Sequence, residues 1–139
     1  MDEYILTFDV KAKDFERAGE VSTNIRKILK QLSIDPEAVK KAAVACYEAE
    51  MNIVIHSYGG KIKLEVNFDR IRIIAQDNGP GIENIDLAME EGYSTATEEI
   101  RELGFGAGMG LPNIKKNTDF FDITSQKGTG TIIVMEILF

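Results

Sequence analysis

The stretch Asp77-Asn78-Gly79-Pro80-Gly81-Ile82 directly follows an apolar segment, Ile71 to Gln76, that has the composition of a strand. Asn-Gly and Pro-Gly pairs are typical of turns, because glycine adopts positive φ without steric cost and proline presets φ at about −65°. The sequence therefore predicts a turn at the end of a strand, with the carboxylate of Asp77 at the point where the strand stops.

The segment before this strand predicts its partner. Residues 61 to 68 alternate between polar and apolar side chains, which is typical of a strand with one buried face, and Phe68 falls on that face. The two-residue link Asp69-Arg70 then predicts an antiparallel hairpin whose far end carries Asp77. A shorter alternating segment, Tyr4 to Phe8, predicts a further strand, which we expect at a sheet edge.

Two amphipathic segments between these strands predict helices. The first begins at a possible N-cap, Asp14, and keeps its apolar spacing to Leu32. The second begins at Asp35-Pro36-Glu37, which combines an N-cap, a proline in the first turn and a negative charge at the positive end of the helix dipole. This helix is expected to continue to about Ser57.

The second half of the chain predicts a lid and a second hairpin. Residues 83 to 105 hold one short helical pattern and then polar sequence without a period, so we predict a mobile lid over about 91–110. A short helix, Leu111 to Asn117, and a hairpin within residues 120–138 follow. The order of elements predicts one domain over residues 1–139, a two-layer α/β sandwich with a mixed sheet and helices on one face.

Composition limits the possible functions. The chain has 16 Lys and Arg against 23 Asp and Glu, a net charge of −7, which argues against a nucleic-acid partner. It has no apolar run near the roughly 20 residues that cross a bilayer and starts without a leader pattern, so we expect no membrane partner and a cytoplasmic location. The single cysteine, Cys46, is predicted to be a small buried apolar side chain.

Two polar side chains on the second helix suit phosphate chemistry. Glu48 and Asn52 are four residues apart and so project from the same helix face. A carboxylate can activate a hydroxyl or water, and an amide oxygen is a hard ligand for magnesium, although the same spacing also occurs on solvated faces. Glu50 is expected to point away from this face into solvent.

The glycine run from 104 to 110 suits an anion. It matches neither Gly-x-x-x-x-Gly-Lys-Ser/Thr nor Gly-x-Gly-x-x-Gly after a first strand. It can still expose successive backbone N–H groups just before a helix, where unpaired donors and the helix dipole favour a phosphate. A flexible linker is the other interpretation of the same residues.

These motifs occur in a distinctive order: Glu48-x-x-x-Asn52, Asp77-x-Gly79-x-Gly81, Gly108-x-Gly110 and Gly128-Thr129. The order resembles the ATP-binding superfamily of gyrase, heat-shock-90-type chaperones, histidine kinases and mismatch-repair ATPases, which implies the Bergerat fold. The short length and first helix are most similar to the anti-sigma-factor serine/threonine kinases of bacterial sporulation and stress switches. Leu111-Pro112-Asn113-Ile114-Lys115 favours the stress branch.

The resemblance implies a role for each motif in binding ATP or ADP. Glu48 would be the general base, Asn52 would ligate Mg²⁺ between the ATP phosphates, and Asp77 would accept a hydrogen bond from the adenine amino group. Two glycines would make room for the base, an isoleucine would pack near it, the lid glycines and the start of the next helix would surround the phosphates, and a threonine would reach the adenine directly or through water. These further positions are Gly79, Gly81, Ile82, Gly106, Gly108, Gly110, Leu111 and Thr129.

One departure from the related kinases leaves two functions open. Sporulation-type relatives carry an arginine immediately before the final Gly-x-Gly, whereas this chain has Gly106-Ala107 there and its nearest arginine is Arg101. A cation on the transferred phosphate can change the rate by orders of magnitude. The first hypothesis is a Mg-ATP-dependent serine/threonine kinase of a small antagonist protein. The second is a nucleotide-dependent binding switch with little or no transfer.

The partner predictions rest on the same resemblance. The substrate would be a small antagonist similar to anti-anti-sigma proteins, while a sigma factor and a homodimer stay open as further partners. Arg17, on the polar side of the first helix, is a candidate partner contact. His56, the only histidine, is interpreted as structural, and a histidine-kinase catalytic domain lacks support because this histidine lies within the nucleotide motif.

Overall fold

The computed structural model describes residues 3–82, 89 and 110–139. In these residues a single sheet with the strand order β1-β2-β3-β5-β4 packs against three helices. The elements, in chain order, are β1 (Tyr4–Val10), α1 (Glu20–Gln31), α2 (Pro36–His56), β2 (Gly60–Val66), β3 (Arg70–Asp77), α3 (Gly110–Lys116), β4 (Phe120–Gln126) and β5 (Gly130–Leu138).

The two-layer α/β sandwich is confirmed, and β1 lies at a sheet edge as predicted. All four strand pairs in the described part of the chain are antiparallel, where the sequence suggested a mixed sheet. Short connections join β2 to β3 and β4 to β5, and such connections allow only antiparallel neighbours. The register places Gly60 opposite Asp77, so the end of β3 lies beside the start of β2.

The core lies between one face of the sheet and helix α2. Ile62 and Leu64 on β2 and Ile73 on β3 are fully buried, as the alternation of their strands predicted. Cys46 is also fully buried, which confirms its interpretation as a core side chain, and burial raises the pKa of its thiol. No helix in the described ranges has both the length and the apolar character needed to span a bilayer.

The start of α2 was predicted correctly and the start of α1 was not. Asp35 Oδ2 accepts a hydrogen bond from the Ala38 N–H at 3.3 Å, so Asp35 is the N-cap of α2. Helix α1 begins at Glu20 rather than at Asp14. Arg17 consequently lies in the segment before α1, where its side chain is 74% exposed and its Nε is 3.9 Å from Asp14 Oδ2.

Glu50 explains where α1 begins, and its predicted exposure to solvent was wrong. This glutamate is 2% exposed. Its Oε2 accepts hydrogen bonds from the N–H groups of Gly19 and Val21 at 3.1 and 3.2 Å, and its Oε1 accepts one from Ser22 at 3.0 Å. Because the first N–H groups of a helix have no partner within it, a carboxylate from α2 here supplies the cap of α1.

The predicted burial of Phe68 was also wrong, since its side chain is 75% exposed. Strand β2 ends at Val66, and Asn67 begins a turn. Asn67 Oδ1 accepts hydrogen bonds from the Asp69 and Arg70 N–H groups at 3.1 and 3.0 Å. This local bonding ends the alternation two residues earlier than the sequence suggested.

Candidate functional site

The carboxylate of Asp77 lies at the end of β3, with only 9% of the residue exposed. Its Oδ1 accepts a hydrogen bond from the Thr131 N–H on β5 at 3.1 Å. The neighbouring strands β2 and β5 each have a glycine next to Asp77, and both positions leave no room for a side chain. A Cβ on Gly60 would lie 2.8 Å from Asp77 Cα, and a Cβ on Gly130 would collide with the Asp77 carbonyl oxygen. Burial raises the pKa of Asp77, and the Thr131 N–H opposes part of this rise. The aspartate is therefore fixed by backbone on both sides.

The turn after Asp77 is bound to the end of helix α2. The Tyr58 N–H donates to the Asn78 carbonyl at 2.7 Å, and the Asn78 N–H donates to the Gly59 carbonyl at 2.9 Å. Gly79 lies so close that an added Cβ would be 3.1 Å from both Cα and Cβ of Ser57. The turn that carries Asp77 and the helix that carries Glu48 and Asn52 are thus directly joined.

The β4–β5 hairpin holds the other side of the same turn. Ser125 Oγ accepts a hydrogen bond from the Ile82 N–H at 2.7 Å. The Gly128 N–H donates to the Pro80 carbonyl at 2.9 Å. Ser125 belongs to none of the motifs recognised in the sequence. The turn from Asp77 to Ile82 is therefore held between two elements rather than exposed as a free loop.

Gly79 and Gly81 have structural reasons to be glycine. Gly81 has φ of 77°, and a Cβ there would lie 2.6 Å from the Gln126 carbonyl oxygen. The Cβ position of Gly79 faces Ser57 instead. Both glycines thus let the turn pack against the protein, and their expected contact with a ligand stays a prediction.

The structure brings Thr131, and not Thr129, to Asp77. Thr129 is exposed in the turn between β4 and β5, where its N–H donates to the Gln126 carbonyl at 3.0 Å. Thr131 is 4% exposed, and its Oγ1 is 3.0 Å from Ser125 Oγ. The alternation of β5 could have indicated the burial of Thr131 from the sequence. Thr131 falls in phase with the buried positions of this strand, whereas Thr129 precedes the strand.

Glu48 lies on α2 beside the start of α3. Burial raises the pKa of its half-buried carboxylate, and a hydrogen bond from the side chain of Asn113 on α3 opposes this rise. A Cβ on Gly110, the first residue of α3, would be 3.5 Å from Glu48 Oε2. Asn52 is partly exposed one helical turn further along α2.

The far end of α2 is closed by the segment before α1. Lys13 donates from its Nζ to the Ile55 carbonyl and from its backbone N–H to the Val54 carbonyl at 2.8 Å. A cation is favourable here because the last carbonyls of a helix carry partial negative charge. Burial, together with the charge of Lys13, lowers the pKa of His56. This setting is compatible with the structural interpretation of His56.

The remaining predicted positions divide into two groups. Ile82 is half-buried against the core, and Leu111 is 7% exposed in the core. Gly106, Gly108 and Arg101 lie outside the described residues, as does the predicted lid apart from Gly110.

The sequence matches the family of histidine kinase-, DNA gyrase B- and HSP90-like ATPases over residues 39–139, which include every candidate nucleotide-binding position. It is 35% identical to the serine/threonine-protein kinase RsbT of Bacillus subtilis over 112 residues, 78% of each chain. It is 31% identical to the anti-sigma F factor of Clostridium kluyveri over 121 residues, 84% of this chain and 82% of that protein. A chain in the crystal structure of the SiaB-SiaC complex from Pseudomonas aeruginosa has a similar fold, with a TM-score of 0.57, 12% identity and coverage of 96% of this chain and 89% of that one.

Proposed function

Because this chain belongs to the family of histidine kinase-, DNA gyrase B- and HSP90-like ATPases, we propose that it is a Mg-ATP-dependent serine/threonine kinase of a small antagonist protein in a bacterial partner-switching system. The chain is an ATP-binding protein by its family. The observation that carries the kinase proposal is the half-buried carboxylate of Glu48, on the helix joined to the turn that follows Asp77.

We assign recognition of the adenine to Asp77. Its Oδ1 accepts a hydrogen bond from the Thr131 N–H, which restrains the carboxylate. Its Oδ2 can then accept a hydrogen bond from the adenine amino group. A buried carboxylate is costly unless its oxygens have donors, so a ligand that supplies an N–H group at this point gains affinity and selectivity.

Asn52 is the proposed magnesium ligand. Within residues 3–82, 89 and 110–139, no three His, Cys, Asp or Glu side chains converge on a common point. The usual magnesium site of nucleotide enzymes needs no such cluster, because one or two protein oxygens act there together with phosphates and water. A partly exposed amide oxygen on α2 suits that site. Bound Mg²⁺ would neutralise charge on the phosphates during transfer.

Glu48 is the proposed general base. The serine or threonine hydroxyl oxygen of the partner bonds to the γ-phosphorus of ATP, the bond from that phosphorus to the β–γ bridging oxygen breaks, and ADP leaves. The hydroxyl proton passes to the Glu48 carboxylate. Burial raises the pKa of Glu48 toward neutral pH, which makes its carboxylate a stronger base than that of a solvated glutamate.

The partner is proposed from the names of the relatives. Since two of the similar proteins are a serine/threonine-protein kinase and an anti-sigma F factor, we assign a small anti-anti-sigma-like antagonist as the substrate. A sigma factor would be a second partner, and the cytoplasm the place of action. Arg17 is the proposed contact, because its side chain is 74% exposed.

A second function rests on one observation in the sequence. Gly106-Ala107 stands before Gly108, at the place where the resemblance to sporulation-type relatives implies an arginine. Without that cation the chain could use ATP and ADP to set its affinity for a partner, with little transfer. The two functions share a nucleotide site and differ only in the fate of the γ-phosphate.

Incubation with Mg-ATP and candidate antagonist proteins, scored by intact mass, separates them. The kinase proposal predicts a mass increase of one phosphate on the antagonist. Tight ADP binding without any such increase would favour the switch.

Variants of α2 assign the roles. Glu48→Ala is expected to keep ATP affinity and to lose transfer, whereas Asn52→Ala should lose the magnesium-dependent part of the affinity in isothermal titration. Glu37→Ala, on the exposed first turn of the same helix, is the control and should change neither. Transfer at the wild-type rate by Glu48→Ala would disprove the assignment of the base.

A further inference from the structure

A side chain on α3 contacts the proposed base. The Asn113 amide donates a hydrogen bond to the Glu48 carboxylate. Gly110, at the start of the same helix, approaches the same carboxylate, because a Cβ added there would be 3.5 Å from Glu48 Oε2. Two points on α3 therefore adjoin one carboxylate on α2.

The position of Asn113 is well determined by its neighbours. Leu111 is 7% exposed and Ile114 is fully buried, so both anchor the short helix in the core. The Asn117 side-chain amide donates to the Asn113 carbonyl at 2.8 Å and closes the following turn. Asn113 is partly exposed on the same helix, between these two anchors in sequence.

A base of this kind needs an orienting partner. A glutamate side chain has several rotatable bonds, and an oxygen that points away from the hydroxyl cannot take its proton. A hydrogen bond from a neutral amide to an ionised carboxylate is stronger than one between neutral groups. Holding one carboxylate oxygen in this way leaves the other to face the substrate.

We propose that Asn113 is a positioning residue for phosphoryl transfer, which orients the Glu48 carboxylate toward the hydroxyl of the protein substrate. The role in transfer rests on the proposed function, whereas the contact between the two side chains does not. Helix α3 begins at Gly110, the last glycine of the run that we expect to hold the phosphates. The same helix would therefore also orient the base.

Steady-state kinetics with Mg-ATP and the unphosphorylated antagonist as the acceptor tests this role. Asn113→Ala is expected to lower kcat about tenfold while the dissociation constant for ATP stays within about twofold, since the asparagine acts on the base and not on the nucleotide. Lys115→Ala, at an exposed position of the same helix, should retain the wild-type kcat and controls for general damage to α3.

A double-mutant cycle separates positioning from a structural effect. In a Glu48→Gln background the remaining transfer no longer depends on an oriented carboxylate, so adding Asn113→Ala should cause little further loss of kcat. Losses that simply multiply would show that Asn113 acts independently of Glu48 and would overturn the inference.

Nuclear magnetic resonance of the side-chain amides gives a readout that needs no activity. The Asn113 resonances should shift in Glu48→Ala and stay in place in Glu37→Ala, while those of Asn67, in the turn between β2 and β3, stay in place in both. An unshifted Asn113 amide would overturn the contact.

The two proposals fail differently. Absence of transfer by the wild-type chain would overturn the kinase function and, with it, a role in transfer for Asn113. Normal transfer with a wild-type kcat in Asn113→Ala would overturn this inference alone.

Discussion

The two ends of strand β3 carry charged side chains in opposite ways. At one end Asp77 is buried and its carboxylate is bound by a backbone N–H, with glycines on the neighbouring strands. At the other end Arg70 and Arg72 are 40% and 42% exposed and pair with side chains. Arg70 Nη1 is 2.9 Å from Glu136 Oε1, and Arg72 Nη1 is 3.6 Å from Glu65 Oε2.

The two ends of β3 differ in what holds their charged side chains: backbone contacts at Asp77, and ion pairs with other side chains at Arg70 and Arg72. The arginines are partly exposed while Glu65 and Glu136 are 16% exposed, and ion pairs that solvent reaches in this way are screened by water and contribute little to stability. We therefore expect the arginine end to tolerate exchange of its side chains. The Asp77 end depends on the close approach of backbone, which glycine permits and which other residues block. Substitutions should therefore be costly at the Asp77 end and nearly silent at the arginine end.

The largest expected effect is that of Gly130→Ala. Its Cβ would collide with the Asp77 carbonyl oxygen, so the start of β5 must separate from the end of β3. We expect a loss of several kcal/mol in the free energy of unfolding, about 3 or more, measured by urea denaturation. Gly128→Ala is the control in the same hairpin, because it also has positive φ but has nothing within 4 Å of an added Cβ. Equal losses in the two variants would disprove the steric role of the Asp77 contact.

Asp77→Asn should strongly lower the affinity for nucleotide, although the substitution hardly changes the shape of the side chain. The variant replaces one carboxylate oxygen by an N–H group that repels a donor, so we expect ATP affinity to fall about 10- to 100-fold in isothermal titration. Asp69→Asn, just before the other end of β3, makes the same chemical change at an exposed position and should retain wild-type affinity. Affinity lost equally in both would argue against recognition by Asp77.

Ser125→Ala should have an intermediate effect. It removes the acceptor of the Ile82 N–H and the neighbour of Thr131 Oγ1. The expected cost is about 1 to 2 kcal/mol in the free energy of unfolding, together with a loss of ATP affinity of a few fold as the turn loosens. Thr124→Ala, on the exposed face of the same strand, is the comparison and should change ATP affinity little. Unchanged stability and affinity in Ser125→Ala would show that the hairpin does not hold the turn.

Glu136→Gln should have the smallest effect, although this glutamate pairs with both arginines. Ion pairs with one partner partly exposed to solvent are typically worth less than about 1 kcal/mol each, and salt weakens them further. Urea denaturation of the wild-type chain and of Glu136→Gln at low and high salt measures the loss in the free energy of unfolding and its dependence on salt. A loss comparable to that of Gly130→Ala would remove the contrast between the two ends of β3.

Local signals predicted much of the fold. Asp35-Pro36-Glu37 marked the start of α2 correctly, and the alternation of residues 61–66 gave the buried face of β2. These features depend on residues near each other in the chain, where capping and strand periodicity act. The resemblance of the ordered motifs added the family, which the match over residues 39–139 confirms.

The errors arose where distant residues decide the outcome. Helix α1 begins at Glu20 because Glu50, 30 positions later, supplies its cap, and no local rule anticipates that contact. Thr131 meets Asp77 across two strands that are separated by more than fifty residues, a contact that depends on the pairing of β3 with β5, while the expected contact of Thr129 with the adenine stays a prediction. Asn113 was part of a quoted motif, yet its contact with Glu48 required the packing of α3 on α2.

Amide chemical shifts during titration with Mg-ADP test the central claim most directly, that nucleotide binds at the Asp77 end of the sheet. We predict that the backbone N–H signals of Asp77, Gly79 and Thr131 shift on binding, while those of Arg72 and Glu136 at the other end of the sheet stay in place. Shifts confined to the Arg72 and Glu136 end, with Asp77, Gly79 and Thr131 unchanged at saturation, would contradict the account.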